Sequence, residues 1–263
     1  MALKFKSLCS GSSGNAALLW TGSAAVLIDF APGCQRDCRA SLKEARKICG
    51  SLDAVLVTHA HGDHINGNSL RVLHEEGLKA RCHSGVYHQI KARHGEKYAA
   101  ILSPFEDALT IGDLTVRHIR VEHAPDCCTT AFIITTTRRG REFKAAIFTD
   151  FNGFTDEHVA FAANSDLLFL EANHDTELLK IFGHYGSEFH MSNRKTAKFL
   201  HKICKASAGQ PQAVVLGHLS TDCNKPHLPQ KEIEGYFNKH KLPVKFKIHV
   251  AKRYEPGRII VIS

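Results

Sequence analysis

The stretch "VLVTHAHGDHINGN", residues 55–68, constrains this chain more than any other part of it. It sets His59, His61, Asp63 and His64 within six positions, directly after an apolar run. Histidine occurs 18 times in 263 residues, so one or two close together would mean little. Imidazole and carboxylate are ligands for zinc, manganese and iron. The β-branched run at 53–59 predicts a short strand buried in a central sheet. Residues after such a strand lie on a loop at the sheet's edge, where binding residues concentrate. There His59 and His61 can point to one metal, and Asp63 and His64 to a second beside it. Gly62 lets the backbone turn tightly between them. A merely solvated, histidine-rich loop is the competing reading. Four ligand-type side chains directly after a buried strand weigh against it.

The totals bound the rest. A chain of 263 residues buries a substantial core, and a single domain over residues 1–263 is expected. No apolar run approaches the roughly 20 residues that span a bilayer, and the start "MALKFKSLCSG" lacks a signal-peptide core. A cytoplasmic chain with no membrane contact is therefore expected. The nine cysteines are odd in number and scattered, unlike a disulfide framework. Cys34 with Cys38, and Cys127 with Cys128, lack the repeated C-x-x-C spacing of structural zinc. The net charge of +8 and pI of about 9.0 favour a polyanionic partner such as nucleic acid. Solubility alone is the plainer explanation of the same charge.

Along the chain, "LKFKSL", "AALLW" (16–20) and "AAVLIDF" (24–30) read as strands. The small-residue loop "CSGSSGN" separates the first two, so it reads as a turn and not a linker. In "SLKEARKIC" (41–49), Ser41 with Glu44 predicts a capping box at a helix start. "NSLRVLHEEG" predicts a helix closed by Gly77. Residues 107–123 predict paired strands turning at Gly112-Asp113, and residues 129–150 a hairpin turning at Arg139-Gly140. Helix and strand then alternate, and two strands end the chain. An early and a late group of strands with helices between them imply two packed sheets covered by helices, an α/β class.

At this point the residues resemble a known family. "THAHGDH" matches the H-x-H-x-D-H signature of the metallo-β-lactamase superfamily. That resemblance implies an αββα sandwich of two mixed sheets flanked by helices, with a dinuclear site at one sheet edge. It also implies further ligands: His123 in "IRVEHAPD", Asp150 in "AIFTDFNG" and His218 in "AVVLGHLS", all at predicted strand ends. His59, His61 and His123 would then hold one ion, and Asp63, His64 and His218 the other. Asp150 would bridge the pair. The donor set is all nitrogen and oxygen, which leaves zinc, manganese and iron open as the two divalent cofactors. Two such cations activate water near neutral pH and neutralise phosphate oxygens, and Asp63 would also orient the nucleophile.

The superfamily hydrolyses thioesters, lactams, lactones and phosphodiesters, so the fold alone does not choose a substrate. Further segments resemble its WalJ/YycJ-like exonuclease subgroup: Ser10 to Asn15, Glu171 to Asp175, Phe189 to Asn193, and His218 to Pro226. Phe189, Met191 and Cys223 depart from the subgroup's pattern, while His190, Ser192, Asn193 and Asn224 keep it. The subgroup implies metal-dependent exonuclease action on DNA. Only 67 residues lie between Asp150 and His218, which excludes the inserted domain of the β-CASP nucleases.

Within this reading His190 is expected to protonate the leaving oxygen, or else merely to cap the following helix. His174 is expected to support the site or to start a helix. The loop's backbone amides would form an anion nest, with Ser12, Ser13 and Asn15 near a substrate phosphate. Asn193 and Asn224 are further substrate-binding candidates. The leading expectation is a dinuclear metal-dependent phosphodiesterase, a DNA exonuclease. A small-molecule hydrolase, either a thioesterase or a cyclic-phosphate diesterase, is the alternative. A non-catalytic nucleic-acid-binding module is the third possibility, and it would not need two aspartates beside five histidines.

Overall fold

The computed structural model describes residues 3–183 and 186–263. The chain opens with β1 (Leu3–Cys9), β2 (Ala16–Trp20), β3 (Ala25–Phe30), α1 (Gln35–Cys49), β4 (Ala54–Leu56), α2 (Gly67–Glu75), β5 (Ala80–Cys82), α3 (Ser84–His94) and β6 (Leu102–Pro104). It continues with β7 (Ala108–Ile111), β8 (Leu114–Val121), β9 (Thr129–Arg138), β10 (Arg141–Phe148), α4 (Asp156–Ala162), β11 (Leu167–Glu171) and α5 (Thr176–Phe182). The last elements are α6 (Asn193–Ala206), β12 (Ala213–Gly217), α7 (Leu228–Lys239), β13 (Lys247–Val250) and β14 (Ile260–Ile262).

The strands form two seven-stranded sheets, ordered β14-β1-β2-β3-β4-β5-β6 and β13-β12-β11-β10-β9-β8-β7. Each sheet is mixed. In the first, β14 to β3 pair antiparallel and β3 to β6 parallel. In the second, β7 to β10 pair antiparallel and β10 to β13 parallel.

The period-2 alternation of strands explains why the central runs are apolar throughout. On β3, Val26 and Ile28 point into the core between the sheets, while Ala25 and Leu27 point outward under the helices. On β12, Ala213 and Val215 face the inter-sheet core, and Val214 and Leu216 face the opposite layer. Leu42 of α1, Leu70 of α2 and Val86 of α3 close the outer face of the first sheet. Val159 of α4, Phe199 of α6 and Phe237 of α7 close that of the second. This is the αββα sandwich.

Both expected hairpin turns occur. Arg139 and Gly140 have φ of 52° and 76°, the positive pair that suits a tight two-residue hairpin. Gly112 has φ of 56°. Gly77 follows α2 with φ of 64°. One helix start differs from expectation: α1 begins at Gln35, and Ser41 lies inside it. Its capping box is formed by Cys34 and Asp37, because the Asp37 carboxylate already accepts the Cys34 N–H (3.2 Å). With that acid at the third position, the helix starts a turn and a half before Ser41.

The loop between β1 and β2 is fixed by close backbone approach. Gly14 has φ of 150°, and a Cβ there would lie 2.0 Å from the Ala31 carbonyl oxygen. Gly14→Ala is expected to cost on the order of 2–3 kcal/mol, lowering Tm by roughly 5–10 °C. Calorimetry that found Tm unchanged would show that this loop is not pinned.

Candidate metal centre

The pairing directions bring the C-terminal ends of β1, β3, β4, β8, β10, β11 and β12 to one edge of the sandwich. This is the edge at which open α/β sheets bind ligands. Asp29 lies near the end of β3, and His59 to His64 follow β4. His123 follows β8, Asp150 follows β10, Glu171 ends β11, and His218 follows β12. Asp29, Asp150 and His218 have φ of 52°, 51° and 56°. Such left-handed conformations cost about 1–3 kcal/mol each away from glycine and cluster at functional sites. Here Asp150 and His218 turn out of strand ends into the centre, and Asp29 turns toward the outer side of His64.

Among the described residues the side chains form three overlapping groups that all include Asp150, two of them made of the expected ligands and the third of Asp150, Glu171, His190 and His218. Ligand-type atoms of His59, His61, His123 and Asp150 all lie within 4.8 Å of one another. So do those of Asp63, His64, Asp150 and His218. Asp150 Oδ2 is 3.7 Å from His59 Nε2, 3.8 Å from His123 Nε2 and 3.3 Å from His64 Nε2. Its Oδ1 is 3.4 Å from His218 Nδ1. Asp63 Oδ2 is 3.3 Å from His218 Nε2.

The surroundings aim the imidazoles inward. His64 Nδ1–H donates to Asp29 Oδ2 (2.7 Å), which also accepts from the Thr58 hydroxyl (2.8 Å). Thr58 Oγ1 is 3.0 Å from His59 Nδ1. His123 Nδ1–H donates to the Phe189 carbonyl (2.8 Å). In all three rings Nδ1 is held from outside, and Nε2 faces the other ligand-type atoms. Fully buried His59 Nε2 has no hydrogen-bond partner among the described residues. A buried orphan nitrogen costs about 1–3 kcal/mol. Coordination of a divalent cation would satisfy it, so these residues fit a metal.

The charge distribution agrees. Burial, followed by the neighbouring His64, holds the His59 pKa well below its ordinary value, which keeps the imidazole in its ligating neutral form. Burial also works to lower His218, but Asp150, Asp63 and Glu171 outweigh it and push the ring up to about 10. Burial works to raise Asp150, and His218 and His64 overcome it, holding the carboxylate well below its usual range. Without a cation the carboxylates draw protons onto the imidazoles. With one, the same negative charge is available to it.

Next to this centre stands a second device. His190 lines a cleft of about 260 Å³ together with His61, Asp63, His123, Asp150 and His218. Its Nδ1 is 2.5 Å from Glu171 Oε1. Glu171 is fully buried and also lies 3.1 Å from His218 Nδ1. It accepts from the backbone N–H groups of Phe151 (3.0 Å) and Met191 (3.2 Å). Burial works to lower His190, and Glu171 prevails, raising it. His190 does not cap α6; the Ser192 side chain does, accepting from Lys195 N–H (3.2 Å).

The family model described as a beta-lactamase superfamily domain matches residues 25–218. The chain belongs to that superfamily. Curated relatives with exonuclease names match the chain over most of its length. An exodeoxyribonuclease WalJ of Streptococcus pneumoniae is 26% identical over 241 residues, covering 85% of this chain and 84% of the relative. An exodeoxyribonuclease YycJ of Bacillus anthracis is 25% identical, covering 98% and 99%. Among solved structures, the metallo-beta-lactamase fold protein YhfI of Bacillus subtilis matches with a TM-score of 0.71 at 19% identity, covering 99% of each chain.

Other residues of this superfamily member fall in different places. Ser12 lines the cleft, whereas Ser13 lines an adjoining cavity beside Gly14 and Arg253. Asn15 is buried, and its Oδ1 accepts the Gly11 N–H (2.9 Å) while its Nδ2 donates to the Asp63 carbonyl (3.1 Å). It therefore ties the loop to the ligand segment. Asn193 and Asn224 are buried and bonded to each other, and Asn224 also donates to the carbonyls of Ala172 and Asn173. Neither lines the cleft. His174 is buried beside Asp175, which caps α5. The sequence reading does not single out Asp29 or Thr58. An acid ending a predicted strand directly before a loop was the available signal for Asp29.

Proposed function

We propose that this hydrolase is a dinuclear metal-dependent phosphodiesterase of nucleic acid, acting as a cytoplasmic DNA exonuclease and folding as one domain. The observation that carries the proposal is the position of Asp150, within reach of both ligand groups at once. His59, His61 and His123 would hold one ion, Asp63, His64 and His218 the other, and Asp150 both. Two divalent ions there (zinc, manganese or iron) would ease deprotonation of water and neutralise phosphate oxygens. No helix among the described residues is long and apolar enough to cross a membrane.

The chain's own groups supply the remainder. Asp63, half-exposed to the cleft, orients the attacking water as well as ligating. Glu171 fixes His190 Nδ1, leaving Nε2 as the ring's atom for proton transfer to the leaving oxygen. Ser12 reaches a substrate phosphate at the cleft wall, while Ser13 and Asn15 shape the loop that carries it. DNA as substrate is supported by the exonuclease names of relatives aligned over most of the chain, and by the net charge of +8.

A panel of substrates tests this reading. Metal-loaded protein is incubated with end-labelled duplex and single-stranded DNA, RNA, bis-p-nitrophenyl phosphate and a glutathione thioester. Laddering of DNA from one end is expected. Thioester turnover with inert DNA would reverse the assignment. Binding of DNA with no turnover of any substrate would favour a binding module.

A further inference from the structure

A basic groove of about 570 Å³ lies between α6 and α7, outside the cleft already described. Arg194, Lys195 and Lys198 line one side, and Tyr236, Lys239 and His240 the other. All four cations are exposed, and among the described residues none is paired with a carboxylate. Glu232 is the one acid in the lining. Arg194 and Lys198 stand four residues apart, about 6 Å along the helix axis, close to the separation of neighbouring phosphates on a strand. The rings of Tyr236 and His240 stack with centroids 4.3 Å apart at 29°. Cations beside a stacked aromatic pair form the combination that tracks a phosphate backbone and supports a base.

The groove is joined to the cleft. Ser192 in its lining is two residues from His190, a separation of at most about 7 Å. Lys195 Nζ donates to the Asn152 carbonyl (2.7 Å), in the loop that carries Asp150. Asn152 N–H donates in turn to the Glu122 carbonyl (2.9 Å), next to His123. One end of the groove is thus tied to three segments of the centre.

We propose that the α6–α7 groove is a nucleic-acid site that holds the phosphodiester backbone of the strand beyond the cleft, with Tyr236 and His240 as a platform for a base. This rests on the nuclease reading above. Its chemistry is sequence-independent, because every strand presents phosphates and π-faces.

The test measures binding of a fluorescein-labelled phosphorothioate single strand, which resists cleavage, to full-length metal-loaded protein. Lys198→Glu/Lys239→Glu is compared with Lys43→Glu/Lys47→Glu, which makes the same charge change at exposed positions of α1. Tm of each variant confirms that it is folded. The groove variant is expected to bind about tenfold or more weakly, with the slope of log K against log salt reduced by about 1–2, and the α1 variant to resemble wild type. Equal losses in both variants would overturn the groove assignment in favour of net charge. No loss in either, with wild type still degrading DNA, would overturn the groove and leave the nuclease standing. Wild type that neither binds nor degrades any strand, yet hydrolyses a small ester, would remove the nuclease and the groove together. Phosphatidylserine vesicles bound by wild type and lost by the groove variant, with strand binding unchanged, would overturn it in favour of a membrane surface.

Discussion

Asp150→Asn is expected to lower DNA hydrolysis by about 10³-fold or more, the several kcal/mol that charge stabilisation at a dinuclear site supplies, at roughly 1.4 kcal/mol per tenfold. The change is isosteric. The amide oxygen keeps the bond from the Thr149 hydroxyl (2.9 Å), and the left-handed backbone of residue 150 tolerates asparagine. What is lost is the only carboxylate among the described residues that lies within 4 Å of His59, His123, His64 and His218 together. Steady-state hydrolysis and a Tm measurement separate the two consequences: activity collapses while the fold persists. A variant with near wild-type turnover would remove Asp150 from the centre of the account.

The second large effect falls on His190 and Glu171. His190→Ala is expected to slow DNA cleavage by about 10²–10⁴-fold, the range for general acid catalysis. With bis-p-nitrophenyl phosphate, whose leaving group needs no proton, the loss should nearly vanish. That dependence on the leaving group would not follow from a structural role. Glu171→Gln should show the same pattern more weakly, about 10–100-fold, because it acts through the ring that it holds. Glu171 also accepts two backbone N–H groups and contacts His218, so part of its effect will extend to both substrates. His190→Ala protein with full turnover on DNA would eliminate the proton-donor role.

Much of this is legible in the sequence alone. The alternation of apolar strands, the hairpin residues Arg139-Gly140 and Gly112-Asp113, and the density of His59 to His64 are local signals with local causes. The family resemblance extended that cluster to His123, Asp150 and His218, and the fold brings all of them to one edge. Other parts left little trace in the sequence. Strands β5 and β6 are three residues each and are held by parallel neighbours, not by their own pattern. Helix α3 buries only Val86 and Ile90, too little for a periodic apolar face. Ser41 resembled a cap because Glu44 lies at the right spacing, but Asp37 had already capped the helix. Asp29 meets Thr58 and His64, 29 and 35 positions further along the chain, which spacing does not report. Asn193 and Asn224 look like ligand-binding amides until their mutual hydrogen bonds are seen.

The most direct test of the centre is elemental analysis of wild-type protein purified without chelator. Two equivalents of divalent zinc, manganese or iron per chain are predicted, one for His59, His61 and His123 and one for Asp63, His64 and His218, with Asp150 within reach of both; Glu171 and His190 in the third group are assigned to proton transfer. Protein that carries no such metal, and takes none up on dialysis against any of the three, would contradict the account.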